Sequence, residues 1–393
     1  MTESVQTLFE RALATLPAPL RVPVAEYWAE YQSSFVAPAD ARHTAGLMAS
    51  LPAVFAASQF AARTCLQHPA LLAELVDTGD LLHAYGPQEL KARVLKLAAE
   101  CRDEAMLKTA LRVLRRREML RIAWRDLAGW ADLGEVLATL TALADGCLDG
   151  ALGCLMQWAV QRDGTPRSLA GEPAHLVVLG MGKLGGGELN FSSDIDLIFA
   201  YSEEGGVQGG PRELSNHEFF IRLGRSLISA LNDATADGFV FRVDMRLRPN
   251  GDSGPLALSF DAMEQYYQVH GREWERYAFI KARAVAGEVA CGAGLLARLK
   301  PFVYRRYLDY SVVEAIRGLK LSIERELHRK GMEHNIKLGP GGIREIEFIG
   351  QAFQLIRGGR EPVLQVRPIQ QVLAALQAGG YLTPQAVADL QAA

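Results

Sequence analysis

The sequence predicts a predominantly α-helical α+β fold, with a small β-sheet flanked by helical regions. Three observations carry this expectation. Apolar residues recur at three- and four-residue spacing through roughly the first 168 positions, as at Leu107, Ala110, Leu111 and Leu114. Short apolar or alternating runs then stand at His175–Leu179, Ile195–Tyr201 and Phe239–Leu247. From about Asp261, a good N-cap residue, helical spacing returns and continues to the end.

At 393 residues the chain is too long for one ordinary core. The expected organisation is a helical region at 1–168, a sheet-bearing catalytic domain at 169–300 and a helical bundle region at 301–393. The polar stretch Gln161–Pro173 marks the first boundary, and a helix over about Ser215–Leu231 separates the second and third strands. Pro249–Gly254 reads as a turn, and Leu338-Gly-Pro-Gly-Gly-Ile343 as a glycine-rich loop. The last residues, Leu390-Gln-Ala-Ala393, fall inside a helical pattern without a stop signal, so we expect a longer parent protein.

Net charge is −3, which gives no global basic field for nucleic acid. No uninterrupted run of 18 apolar residues occurs, and Met1–Glu10 is polar and acidic. The expectation is neither a signal peptide nor a membrane span. Cys65, Cys101, Cys147, Cys154 and Cys291 lack metal or C-x-x-C spacing and read as reduced core thiols of a cytoplasmic protein. The run Arg115-Arg116-Arg117, with Arg112, Arg121 and Arg125, makes one basic helix. It reads as a solvated face paired with acidic neighbours, the alternative being a contact for an acidic partner.

The chemistry is concentrated between residues 177 and 248. Asp194 and Asp196 sit at i and i+2 at the head of a strand, about 7 Å apart at Cα, so both carboxylates project from one face. Acids held so close repel and desolvate each other unless a cation lies between them. Hard oxygen ligands of this kind suit Mg²⁺, which takes its remaining ligands from water and substrate phosphates. Asp244 supplies a third acid, on an alternating strand whose polar face is Arg242, Asp244, Arg246 and Arg248. Arg246 and Arg248 carry the planar forks that match phosphate oxygens.

Gly180-Met-Gly-Lys-Leu-Gly185 formally matches a dinucleotide fingerprint, with Glu203 at a fitting distance. Only Met181–Ser193 separate the two strands, however, and they hold four glycines and two adjacent serines. A Rossmann crossover helix does not fit there. A tight loop whose backbone N–H groups face a phosphate does.

These elements resemble the DNA-polymerase-β-like nucleotidyltransferase pattern, filled by Met181-Gly182-Lys183, Asp194-Ile195-Asp196 and Val243-Asp244-Met245. Lys183 departs from it, since many relatives have Ser or Gly there. Gly180-Met-Gly-Lys-Leu-Gly185, Glu188-Leu-Asn-Phe-Ser-Ser-Asp-Ile-Asp-Leu197, Arg246-Leu-Arg-Pro249, Trp274-Glu-Arg-Tyr277, Ile280-Lys-Ala-Arg283 and Gly341-Gly-Ile-Arg-Glu-Ile-Glu-Phe348 together resemble one family in particular. It is the bifunctional glutamine synthetase adenylyltransferase/adenylyl-removing enzyme, and the likeness, from about residue 40 to 350, is to its N-terminal half.

The resemblance implies a small mixed sheet and an adenylyl-removing activity. In that reaction phosphate attacks the AMP–tyrosine bond of glutamine synthetase and releases ADP and unmodified enzyme. It implies Asp194, Asp196 and Asp244 as catalytic metal ligands for two Mg²⁺ ions, with Mn²⁺ able to substitute. Gly182, Lys183, Ser193, Arg246, Arg248, Lys281 and Arg283 are the expected phosphate- and nucleotide-binding residues. Glutamine synthetase and the uridylylated PII signalling protein are the expected partners, with no nucleic acid or membrane. Two alternatives stay open: the same site transferring AMP from ATP to a tyrosine, and a non-catalytic regulatory scaffold. Trp274 and Tyr277, three apart on a helix, read as core. Glu345 and Glu347, two apart, do not share a helix face.

Overall fold

The structure, a computed structural model, describes residues 4–306 and 341–392, together with 314, 317, 318, 321, 325, 329 and 339. It is mainly helical with a small mixed sheet. Two compact units divide it. One comprises Met1–Gly150, Asn190–Ser192 and Asp233–Val240; the other comprises Ala151–Leu189, Ser193–Asn232 and Phe241–Ala393.

The first unit is helical. Its core is unusually aromatic for an Ala- and Leu-rich chain: Phe9 stacks on Trp28 at 4.7 Å, and Tyr31, Phe55 and Trp124 complete the cluster. The Trp124 indole N–H donates to Ser50 Oγ at 3.0 Å, so its one polar atom is satisfied in the core. The helix Glu104–Leu127 carries the arginine run. Three of those arginines, Arg112, Arg121 and Arg125, are buried rather than presented on a solvated face. Arg112 donates to the carbonyls of Asp233 and Gly238, Arg121 to Asp80 O and Arg125 to Leu81 O. Arg125 also pairs with Glu135. The basic helix is therefore an internal brace. A guanidinium has five donors, so one buried arginine can serve several loop carbonyls at once.

Asp80 sits in this network, bonded by Arg93 at 2.7 Å and Arg117 at 2.6 Å. Burial alone would raise its carboxyl, but the two arginines outweigh it and hold the group below the usual carboxylate range. A depressed folded pKa contributes stability that is complete above the unfolded value, about 3.9, and lost as pH falls through the lowered one. The stability advantage of the protein over an Asp80→Asn variant should therefore hold steady above about pH 5 and shrink as pH falls below about 4. Urea midpoints across that range measure it.

In the second unit, β3 (Ile195–Tyr201) is the central strand. It pairs antiparallel with β2 (Leu176–Gly180), which pairs antiparallel with β7 (Arg283–Gly287). The other edge of β3 is shared by two short parallel strands. β5 (Val243–Asp244) lies against Ile195 and Asp196, and β6 (Ala257–Ser259) lies against Phe199–Tyr201. β1 (Thr165–Ser168) and β4 (Gly205–Gln208) form a separate antiparallel pair. Helices cover the sheet. Phe199 packs so closely on helix Asn216–Asn232 that a side chain at Gly224 would meet its ring at 2.8 Å. Val177, Leu179, Ile198 and Ala200 share a core with Met263, Leu295 and Leu299, from Phe260–Val269 and Val289–Val303. A sheet enclosed on both faces explains why β2 reads as a continuous apolar run.

Several expectations are corrected. Phe239–Leu247 alternates like a strand, but only Val243–Asp244 pairs, because the chain turns from Arg246 and Asn250 adopts φ 61° ahead of the turn Gly251–Ser253. Residues 283–287, within the stretch read as helical, form β7; the fully buried β2 needs a partner on its second edge. The N-cap of Phe260–Val269 is Ser259, whose Oγ accepts from Ala262 N at 3.3 Å, not Asp261. Met181–Ser193 contains one short helix, Gly182–Gly186, as well as loop. The helix Leu133–Asp163 is long and apolar enough to cross a membrane by length and composition, although it holds no uninterrupted run of 18 apolar residues. Its most apolar window is 67% buried within the protein. Of the glycine-rich loop, Leu338 and Pro340 lie outside the described residues.

Candidate active site

A cavity of about 520 Å³ opens at the head of β3. Asp194 and Asp196 reach it from that strand head, and Asp244 reaches it from β5, where it stands opposite Asp196 in parallel register. The three acids separated by 50 residues in sequence thus meet through one pair of backbone partners. Asp194 is ion-paired with Arg242. Asp244 accepts from Arg246 Nε at 2.8 Å and from the Arg246 backbone N–H at 2.8 Å. The Arg246 hydrogen bonds hold the Asp244 carboxyl below the ordinary carboxylate range, so it is ionised at neutral pH.

Gly182 is the close-approach residue of the loop. Its φ is +52°, and a Cβ there would stand 2.9 Å from Asp196 Oδ2. Only a glycine lets this backbone approach that carboxylate. Lys183 and Ser193 line the same cavity. The Lys183 ammonium lies 3.3 Å from Glu347 Oε1, and the buried Lys281 bonds the same carboxylate. Lys281 also lies 3.2 Å from Glu188 Oε2, while Glu188 Oε1 accepts from Ile369 N at 2.8 Å. Burial by itself would raise the Glu347 carboxyl; Lys281 and Lys183 outweigh it and lower the group instead.

Of the expected phosphate-binding residues, Gly182, Lys183, Ser193, Arg246 and Lys281 line the cavity. Arg248 and Arg283 are not brought to its wall. Arg248 turns back to Met245 O at 2.8 Å and pairs with Asp252, because β5 ends before it. Arg283, on β7, donates to Leu184 O at 3.0 Å and so holds the glycine turn from behind.

Other lining residues went unassigned by sequence. Trp274 and Tyr277, read as core, both face the cavity; Tyr277 lies 5.8 Å from Phe348, ring to ring. Their neighbours Glu275 and Arg276 are the buried members of that motif: Glu275 accepts from Tyr266 OH at 2.9 Å, and Arg276 donates to Val303 O at 2.8 Å. The signal that separates the two pairs is helical phase, with 274 and 277 on one face and 275 and 276 turned inward. Glu345 and Glu347 diverge as expected: Glu345 accepts from Gly341 N at 2.7 Å, and Glu347 enters the cavity.

The donor set suits a hard divalent cation. Three carboxylate-bearing positions from adjacent strands face one cavity, with no soft ligand among them. Asp194 and Asp244 are turned to arginines. Among the described residues, no three His, Cys, Asp or Glu side chains stand grouped at metal-holding distance. Both arginines are mostly solvent-exposed, Arg242 at 53% and Arg246 at 75% of the side chain. Ion pairs that exposed are weak and exchange readily for a stronger counter-charge.

The sequence is similar to those of known proteins. The family model described as glutamate-ammonia ligase adenylyltransferase matches residues 48–298, and the one described as GlnD PII-uridylyltransferase matches residues 317–393. Among similar proteins is the bifunctional glutamine synthetase adenylyltransferase/adenylyl-removing enzyme of Nitrosococcus oceani. It is 54% identical over 355 residues, which is 90% of this chain and 37% of that protein. The protein of the same name from Pseudomonas aeruginosa is 52% identical over 388 residues, 97% of this chain and 39% of its own. That from Thioalkalivibrio sulfidiphilus is 55% identical over 327 residues, 83% of this chain and 34% of its own. The chain therefore spans little more than a third of the length of these relatives. With more than half of its residues matched by the first model, this chain belongs to the glutamate-ammonia ligase adenylyltransferase family.

Proposed function

We propose that the protein is a nucleotidyltransferase that removes AMP from an adenylylated tyrosine of glutamine synthetase, using phosphate as the attacking group. The observation that carries this reading is the convergence of Asp194, Asp196 and Asp244 on one cavity beside Gly182 and Lys183. The direction of transfer is supported by the resemblance to the N-terminal half of the bifunctional enzymes, which have both activities in their name. Control by the uridylylated PII signalling protein belongs to the same proposal, as does a cytoplasmic location.

A phosphate oxygen attacks the adenylyl phosphorus, forming one P–O bond as the bond to the tyrosine oxygen breaks. The products are ADP and the phenolate, which takes a proton from solvent. Phosphate is anionic at neutral pH, so the attack needs positioning and charge neutralisation rather than a dedicated base. Lys183, Ser193 and Arg246, which line the cavity, would orient it beside the Gly182 backbone. Asp194, Asp196 and Asp244 would hold Mg²⁺, which neutralises charge on the attacking and leaving oxygens when bound. Trp274 and Tyr277 give the cavity an aromatic wall for the base or the substrate tyrosine.

The test is to mix the protein with AMP-modified glutamine synthetase, Mg²⁺ and phosphate and to follow ADP. Formation of ADP that requires phosphate is the expected result. AMP without ADP would replace phosphorolysis by hydrolysis. Labelling of unmodified glutamine synthetase from ATP, with no ADP from the first mixture, would reverse the direction.

A further inference from the structure

Glu347 is a charged residue of the cavity that the proposed reaction leaves without a task. Its Oε1 accepts from both Lys183 Nζ, at 3.3 Å, and Lys281 Nζ. Lys281 has a second, firmly anchored anion in Glu188, which is itself held by Ile369 N. Among the described residues, Glu347 is the anion paired with Lys183.

That pairing is one choice of two. Lys183 follows Gly182, whose backbone stands so near Asp196 that a Cβ would fall 2.9 Å from Oδ2. The site's aspartates already attract cations, since Asp194 has taken Arg242 and Asp244 has taken Arg246. A flexible ammonium on a four-carbon stem beginning beside Asp196 feels the same attraction. Drawn onto the aspartates, it would neutralise the charge that a divalent cation needs there. Glu347 supplies the competing anion, and it does so from a helix, Ile343–Arg357, that is rigid on the scale of a lysine side chain.

We infer that Glu347 is a positioning residue that holds Lys183 against the Ile343–Arg357 helix and away from the aspartates, dividing the cavity into a cation-binding half and an anion-binding half. The inference rests on the reading that Asp194, Asp196 and Asp244 take a divalent metal.

Mn²⁺ binding to the purified protein without substrate tests it, by calorimetry or by the loss of the free-ion electron paramagnetic resonance signal. Glu347→Gln, near-isosteric, is expected to weaken Mn²⁺ binding about tenfold as Lys183 swings to the acids. Adding Lys183→Met to it is expected to return binding to within about twofold of the starting protein, because the competing cation is gone. Unaltered binding in the single variant overturns the inference. So does a double variant as weak as the single one, which would mean a merely structural loss. If Glu347→Gln does not fold, Lys183→Met alone decides: binding at least as tight as the starting protein supports the inference, and weaker binding overturns it. An Asp196→Asn arm separates the two readings. If Mn²⁺ binding ignores that change, the metal reading itself fails; if it depends on Asp196 while Glu347→Gln has no effect, only the present inference fails.

Discussion

Replacing Asp196 by Asn is expected to lower ADP formation from AMP-modified glutamine synthetase by about a thousandfold or more while leaving the fold intact. Asp196 stands opposite Asp244 in the β3–β5 register and lies against the Gly182 backbone, so it is the acid at which the strand pair and the glycine turn meet. The proposed reaction draws several kcal/mol of charge stabilisation from that carboxylate and what it holds, and about 1.4 kcal/mol corresponds to each factor of ten in rate. Asn matches Asp in size, and Asp196 is only partly buried, so the thermal midpoint should move by little more than about 2 °C. Turnover within tenfold of the starting protein would remove Asp196 from the chemistry. A large fall in thermal midpoint would instead make the residue structural.

The second large effect is on stability. Gly185 is enclosed by backbone: a Cβ there would lie 2.0 Å from Lys281 O and 2.3 Å from Gly180 O. Neither carbonyl belongs to a side chain that can rotate away, and Lys281 itself lines the cavity. Gly185→Ala is expected to cost on the order of 3 kcal/mol or more, or to prevent soluble expression. Gly187→Ala is the internal control. Gly187 has φ +75° but open space around its Cβ position, so only backbone strain remains, about 1–2 kcal/mol. Urea denaturation of the two variants measures the difference. Equal losses would show that the enclosure of Gly185 is not as tight as its neighbours indicate.

Much of this protein is legible from local spacing. β3 begins and ends where its apolar run does, and the helix Asn216–Asn232 is one residue from its expected bounds. The meeting of Asp194, Asp196 and Asp244 is legible too, since acids at the head of one strand and on a second alternating segment imply neighbouring strands. Where reading fails, a partner distant in the chain decides. Arg283–Gly287 is short and Ala-rich, and nothing in its own spacing distinguishes strand from helix; β2 selects strand by offering an unpaired edge. The arginines of Glu104–Leu127 look like surface charge, yet three of them are buried, where they donate to backbone carbonyls far along the sequence.

The cavity divides along the same line. Its acidic side and its glycine turn are legible in the chain, because strand periodicity and the steric freedom of glycine are properties of a few consecutive residues. Its basic side and its aromatic wall come from long-range packing. Whether Arg248 reaches the site depends on where β5 stops, whether Lys281 is free depends on Glu188 and Glu347, and whether Trp274 is core depends on which helix covers it. Long side chains take their direction from whatever charge or surface lies within a few ångströms, and those neighbours are set by the packing of the whole unit.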